Sequence, residues 1–387
     1  MHTWKRWLVV VAGVAVLGLV PLQPARAQTA PATATVQSAP AGLPADVQVR
    51  IERAIATEMA RQTIPAVSIA IAVDGVVRWS NGYGMADLEN FVPATASTMY
   101  RVASVTKPIT ATAVMQLVEA GKLDLDAPIQ RYVPAFPEKP WPITLRHLLS
   151  HVSGIRAYKG GEQSSTKHYA TLTEGLELFK DDPLLYQPGT KYSYSTYNYN
   201  LLGIAVEAAS GVPFYSYIRE HVLKPAGADH VVVDEVEAII PNRAQGYIKS
   251  ANGELRNSLL ADTSYKIPAG GLCAPVADVA KFAIAFQSAK LVKPETVRQM
   301  WTVHPATDRT PQPGNRLGYG IGWMMRMDGS DVEIYHTGNQ QRVSNLLYLE
   351  PRRRVIVVLF TNLESSRILP LARDISTIVL GSATSAK

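Results

Sequence analysis

The sequence predicts a mixed α/β (α+β) protein: an antiparallel sheet built from both ends of the chain, flanked by helices, with a mostly helical second lobe between. Three observations predict it. Two β-rich runs joined by Asp74-Gly75 lie near the start, in "AVSIAIAVDGVVRWSNGYG". Four more strand-like runs, "YGIGWMMRM", "VEIYHTG", "SNLLYLE" and "RVIVVLFTN", crowd the far end. Between them, about 104 to 287, helical periodicity is broken repeatedly by Gly and Pro. The simplest chain path pairs the terminal strands in one sheet and leaves a cleft against the helical part, where a site belongs.

The first element is a targeting signal. Lys5 and Arg6 precede an apolar run, Leu8 to Val20, that is short for a membrane span. Ala25-Arg26-Ala27 fits small-x-small cleavage, so residues 1–27 are expected to be removed and the protein to be periplasmic or secreted. The rival is an uncleaved anchor. After cleavage nothing predicts stable membrane insertion, and no cysteine follows the run to carry a lipid. Residues 28–44 are small, Pro-rich and uncharged, a leader with too little apolar surface to fold.

The folded domain is expected over 45–381, with an α/β part at 45–103 and 288–381 and a helical part at 104–287. A helix over about 46–62 follows from Val49, Ile51, Ala54, Ile55 and Met59. The Asp74-Gly75 pair signals a hairpin. "SVTKPITATAVMQLVEAGKL" places Ile109, Ala113, Val114, Leu117 and Val118 at helical spacing, with Gly121 to end the helix. Near the C-terminus, "SSRILPLARDISTIVLG" closes as a helix that Pro370 kinks or delays.

Composition excludes several functions. The chain has 387 residues, 47% hydrophobic and 18% charged, with a formal charge of +6. Removing residues 1–27 takes away Lys5, Arg6 and Arg26 and no acid, leaving +3. No basic stripe with interleaved aromatics suggests nucleic acid. The densest basic run, "PRRRV" at 351–355, reads as a surface turn. Cys273 is the only cysteine, so no internal disulfide forms, and it reads as a small buried apolar residue.

Two serine–lysine pairs share the S-x-x-K spacing: Ser104/Lys107 and Ser164/Lys167. The second lies in a polar, Gly-preceded stretch without periodicity and reads as loop. The first opens a helix, where residues three apart share a face. There Lys107 is held near the Ser104 hydroxyl, and the helix dipole favours developing negative charge. A serine needs a group to take its proton. A neutral lysine can do so, and neutrality near pH 7 needs a pKa lowered by about three units, or ~4 kcal/mol. On this tetrapeptide alone, a plain helix cap and a solvated lysine fit equally well.

"ASVTK" resembles the S-x-x-K element of the serine β-lactamase and penicillin-binding-protein superfamily. "TLRHLLSHVSGI", "PGTKYSYSTYNYNLLG", "PAGGLCAPVADVAKF", "LGYGIGWMM" and "YHTG" follow in the order seen in its class C-related branch. That branch includes D-amino-acid peptidases, carboxylesterases and β-lactamase-like serine peptidases of animal mitochondria. The resemblance implies the β-lactamase/transpeptidase-like fold and a Ser104 acyl-enzyme. It implies Tyr194 as the tyrosine that shares the Ser104 proton, within "YST", where Thr196 replaces an asparagine that helps hold a substrate amide. The Lys-Thr-Gly strand element becomes His336-Thr337-Gly338, with His336 only partly charged near neutral pH. Backbone N–H groups of Ser104 and Asn339 would hold the oxyanion, about 3 kcal/mol per donor. Asn339 replaces a smaller residue there.

"HLLSH" puts His147 and His151 four apart, but without the glutamate or third ligand of a zinc site. Buried, hydrogen-bonded histidines are expected instead. No G-x-S-x-G elbow and no phosphate loop occur. The reading is an exported serine hydrolase, without metal or cofactor, acting on a small-molecule or peptide substrate through a peptide, amide or ester bond. A true β-lactamase or D-alanyl-D-alanine carboxypeptidase is the alternative among enzymes. A non-catalytic cleft that senses peptidoglycan fragments or serves assembly is the alternative outside them.

Overall fold

The structure, a computed structural model, describes residues 42–312, 315–329 and 331–384. The cleavage signal and most of the leader lie outside the described residues. Helix α1 spans Ala45–Gln62 and buries Val47, Ile51 and Ile55, spaced four apart on one face. Val49, expected on that face, is 54% exposed. It lies two residues, about 200°, round the helix from Val47. Strands β1 (Ala66–Val73) and β2 (Val76–Asp87) form the expected hairpin. Asp74 and Gly75 both take positive φ, 54° and 77°, as a two-residue type I′ turn demands. Strand β3 (Val92–Pro93) edges the sheet beside β2.

A 3₁₀ turn, Ala103–Val105, leads into helix α2, Thr106–Glu119. The sequence suggested one apolar face for α2, yet Thr106–Met115 and Leu117 are all buried. It is a central helix, and two of its buried hydroxyls find carbonyls: Thr110 Oγ1 donates to the Pro268 carbonyl at 2.6 Å and Thr112 Oγ1 to that of Pro108 at 2.8 Å. Helix α3 (Leu145–Leu149), helix α4 (Tyr197–Ser210) and helix α5 (Val276–Gln287) complete the main helices of the middle.

The chain then returns to strands: β4 (Arg309–Gln312), β5 (Asn315–Tyr319), β6 (Met324–Asp328), β7 (Asp331–Gln340), β8 (Val343–Glu350) and β9 (Val355–Thr361). The run "YGIGWMMRM" is broken rather than continuous, because residues 320–323 turn between β5 and β6. Gly322 has φ 81°, and a Cβ there would fall 2.5 Å from that of Ala111 on α2. The turn thus brings the sheet against the central helix. Helix α6, Leu369–Thr384, closes the chain with Pro370 in its first turn, a delayed start rather than a kink.

These nine strands form one sheet in the order β3-β2-β1-β9-β8-β7-β6-β5-β4, antiparallel throughout, and five shorter strands among the described residues form two small sheets. Ile69 stands opposite Leu359 and Ala70 opposite Val358, so the two ends of the chain are neighbours at the sheet centre. Ile69 and Leu359 pack with Ile51 of α1 and Ile375 of α6. Ala70 and Val358 face the other way, into a core shared with Phe282 and Phe286 of α5. Both sheet faces are covered, which is why β1 reads as a continuous apolar run. The basic turn after β8 is an ion-paired surface: Arg353 reaches Asp331 at 3.0 Å and Arg354 reaches Asp74 at 3.1 Å. Cys273 is fully buried.

Candidate active site

Ser104 sits at the junction of sheet and helices, in the 3₁₀ turn before α2. The preceding residue, Ala103, has φ 52°, a left-handed conformation that is strained for alanine. Two glycines hold it there. A Cβ on Gly338 of β7 would come within 2.7 Å of the Val102 carbonyl oxygen and 3.3 Å of Ser104 N. A Cβ on Gly270 would lie 3.3 Å from the Ala103 carbonyl carbon. Upstream, the buried Arg101–Asp234 pair at 2.7 Å fixes the segment. Breaking such a pair costs about 3–5 kcal/mol. Ser104 is therefore presented by a backbone clamped from both sides.

Lys107 lies one turn on, fully buried. Its Nζ is 3.0 Å from Ser104 Oγ and donates to the Ala269 carbonyl at 2.8 Å. No acidic side chain pairs with it among the described residues. The rings of Tyr194 and Tyr199 are 5.0 and 5.4 Å away. Burial holds the amine well below the usual lysine range, and the positive charge of Lys266 pushes it the same way. Tyr194 also hydrogen-bonds the Ser104 hydroxyl. Loss of water raises its phenol well above the usual value, against the lowering effect of that bond. So Lys107, one turn from Ser104, and Tyr194, ninety residues on, meet at one hydroxyl.

His336 is fully buried in β7, not at the surface. Its Nε2 is 2.9 Å from the Tyr319 hydroxyl and its Nδ1 is 2.7 Å from the Thr337 carbonyl oxygen. Burial, reinforced by Lys107, pushes its pKa down to about 3. The position that the family fills with a lysine thus holds a neutral ring, not the partial cation suggested by an unburied histidine. Thr337 turns its hydroxyl toward Met324 of β6, at 4.0 Å. Thr196 and Asn339 line, with Ser104, a cavity of about 40 Å³.

The second S-x-x-K pair is parted. Lys167 is an exposed residue that pairs with Glu177 at 3.2 Å. Ser164 Oγ instead accepts from Gln341 Nε2 at 2.8 Å, a bond across the cleft from the β7–β8 turn. The histidines of "HLLSH" are structural. His147 forms a capping box with Thr144 on α3. His151 is buried and stacks on Tyr194, ring centroids 4.1 Å apart. Among the described residues no three His, Cys, Asp or Glu gather to hold a metal ion.

Sequence reasoning missed three members of the site wall. His151 and Tyr319 pack on Tyr194, and Lys266 faces the cavity. None has a periodicity that marks it. The available signal was position: each adjoins or lies inside a segment, "TLRHLLSHVSGI", "LGYGIGWMM" or "PAGGLCAPVADVAKF", that carries the family resemblance.

A family model described as Beta-lactamase matches residues 51–374. The serine beta-lactamase-like protein LACTB, mitochondrial, of Homo sapiens is 30% identical, over 78% of this chain and 74% of its own. The octameric penicillin-binding protein homologue from Pyrococcus abyssi is 28% identical with a TM-score of 0.72, covering 83% of this chain and 74% of that one. D-amino acid amidase from Ochrobactrum anthropi SV3 has a TM-score of 0.76 over 89% of this chain and 100% of its own. At 22% identity that last likeness is one of fold.

Proposed function

The chain belongs to the beta-lactamase family of serine hydrolases, and on that premise we propose that it hydrolyses a peptide, amide or ester through an acyl-enzyme on Ser104. The neutral Lys107 amine takes the Ser104 proton as Oγ attacks the scissile carbonyl carbon. The oxyanion rests on the backbone N–H groups of Ser104 and Asn339. Tyr194 relays the proton to the departing amine or alkoxide, and water then cleaves the acyl ester by the same steps in reverse. The observation that carries this reading is the buried amine 3.0 Å from the serine hydroxyl. Efficient β-lactam hydrolysis is disfavoured, because Thr196 lacks the amide and His336 the charge that the related elements supply. Residues 1–27 support export of the protein.

The test is covalent labelling. A serine-directed fluorophosphonate should add one adduct to the wild type and none to Ser104→Ala, read by intact mass. p-Nitrophenyl esters or amino-acid anilides should turn over faster than nitrocefin. No adduct on either protein would favour the non-catalytic cleft, and faster nitrocefin turnover would restore the β-lactamase reading.

A further inference from the structure

The cavity beside Ser104 contains a cation that the proposed proton transfers do not use directly. Lys266 ends a short 3₁₀ turn, Ser264–Lys266, and is 3% exposed. It lines the same cavity as Ser104 and Asn339. No hydrogen-bond acceptor or carboxylate is placed against its Nζ among the described residues. Its neighbours are the rings of Tyr158 and Tyr265, at 5.6 and 5.4 Å.

Two buried arginines of the molecule are treated differently. Arg101 is paired with Asp234 at 2.7 Å, and Arg156 with Glu162 and Asp182 at 2.7 and 2.6 Å. A point charge withdrawn from water is costly unless something compensates it, and aromatic faces compensate only in part. The cavity wall offers no acid. It does offer side-chain amides, those of Gln163, Asn339 and Gln340, the last with a buried Nε2 that has no hydrogen-bond partner among the described residues, which can donate to an anion. The space, about 40 Å³, suits a small head group. With a neutral His336 on the strand, the positive charge facing this space comes from the opposite wall.

We propose that Lys266 anchors a substrate carboxylate, so that the natural substrate is an amide or ester carrying a carboxylate a few bonds from the scissile carbonyl. This rests on the serine-hydrolase reading above and adds the substrate class to it. Lys266 also biases Lys107, so its replacement changes turnover of every substrate. The ratio between two substrates that share the chemistry isolates the anchor.

The experiment compares kcat/KM for p-nitrophenyl hydrogen glutarate, which is anionic, with that for p-nitrophenyl butyrate, which is neutral. The wild type should prefer the glutarate ester by about tenfold or more. Lys266→Met should lose that preference, and Lys266→Arg should keep most of it. Turnover of both esters without preference, or a preference retained in Lys266→Met, overturns the anchor and leaves the hydrolase reading standing. If Ser104 takes no label and neither ester turns over, the hydrolase reading fails, and binding decides the anchor separately. Glutarate monoamide titrated into Ser104→Ala by calorimetry should bind about tenfold tighter than into the Ser104→Ala/Lys266→Met double variant. Equal affinities, or no binding to Ser104→Ala, overturn it.

Discussion

Ser104, Lys107 and His336 decide the pH behaviour. Lys107 is neutral above its depressed pKa and charged below it, so fluorophosphonate labelling should speed up with pH and level off well below 10.5, the usual lysine value. A rate still climbing at pH 10 would remove Lys107 as the base. Stability carries the same signature. Between the folded pKa of Lys107 and 10.5 the unfolded chain binds the extra proton. Stability therefore rises with pH in that window by about 1.4 kcal/mol per unit and falls as pH is lowered through it. Lys107→Met should lose that slope in urea titrations at several pH values. His336, held at about 3, stays neutral across the working range and adds no limb to the activity profile near 6.5.

The elements that set the nucleophile are the turn before α2 and strand β7. Gly338→Ala would drive a methyl to within 2.7 Å of the Val102 carbonyl oxygen, and the clamped turn must give way. A displacement of about 1 Å at a reacting atom can cost on the order of a hundredfold in rate. Gly338→Ala should therefore slow Ser104 labelling at least about tenfold while the protein stays folded. Labelling at the wild-type rate would show that β7 does not position the serine. The sequence made part of this arrangement legible. Ser104 and Lys107 are neighbours on one helical turn, so their spacing alone brought them together. Tyr194 was legible only through the family resemblance. The left-handed Ala103 left no trace, because alanine is an ordinary residue wherever φ is negative. The break at 320–323 was half signalled by Gly320 and Gly322, which weaken a strand, but the apolar residues around them masked it.

At the scale of the whole molecule, the terminal strands announced themselves by composition, and one sheet from both ends follows because the N-terminal hairpin cannot stand stably alone. The burial of α2 on all sides was not legible, since its threonines look like a polar face until the carbonyls that receive them are known. Lys266 became part of the site through a fold that brings residue 266 beside residue 104. The proposed export makes its own prediction. Expressed with its full N-terminus in a Gram-negative host, the chain should be recovered outside the cytoplasm with Gln28 as its first residue. Intact mass showing residues 1–27 retained would defeat that reading. The pairing of β1 with β9 bears on the same journey. Strand β1 emerges early from the ribosome, yet one of its hydrogen-bonded edges has no mate until residues 355–361 are synthesised. Such distant pairing is slow to close, so the growing polypeptide stays open at that edge until β9 is made. A chain in that state could still be threaded through a narrow channel, and under the proposed export β9 is the strand that would lock the sheet on the far side.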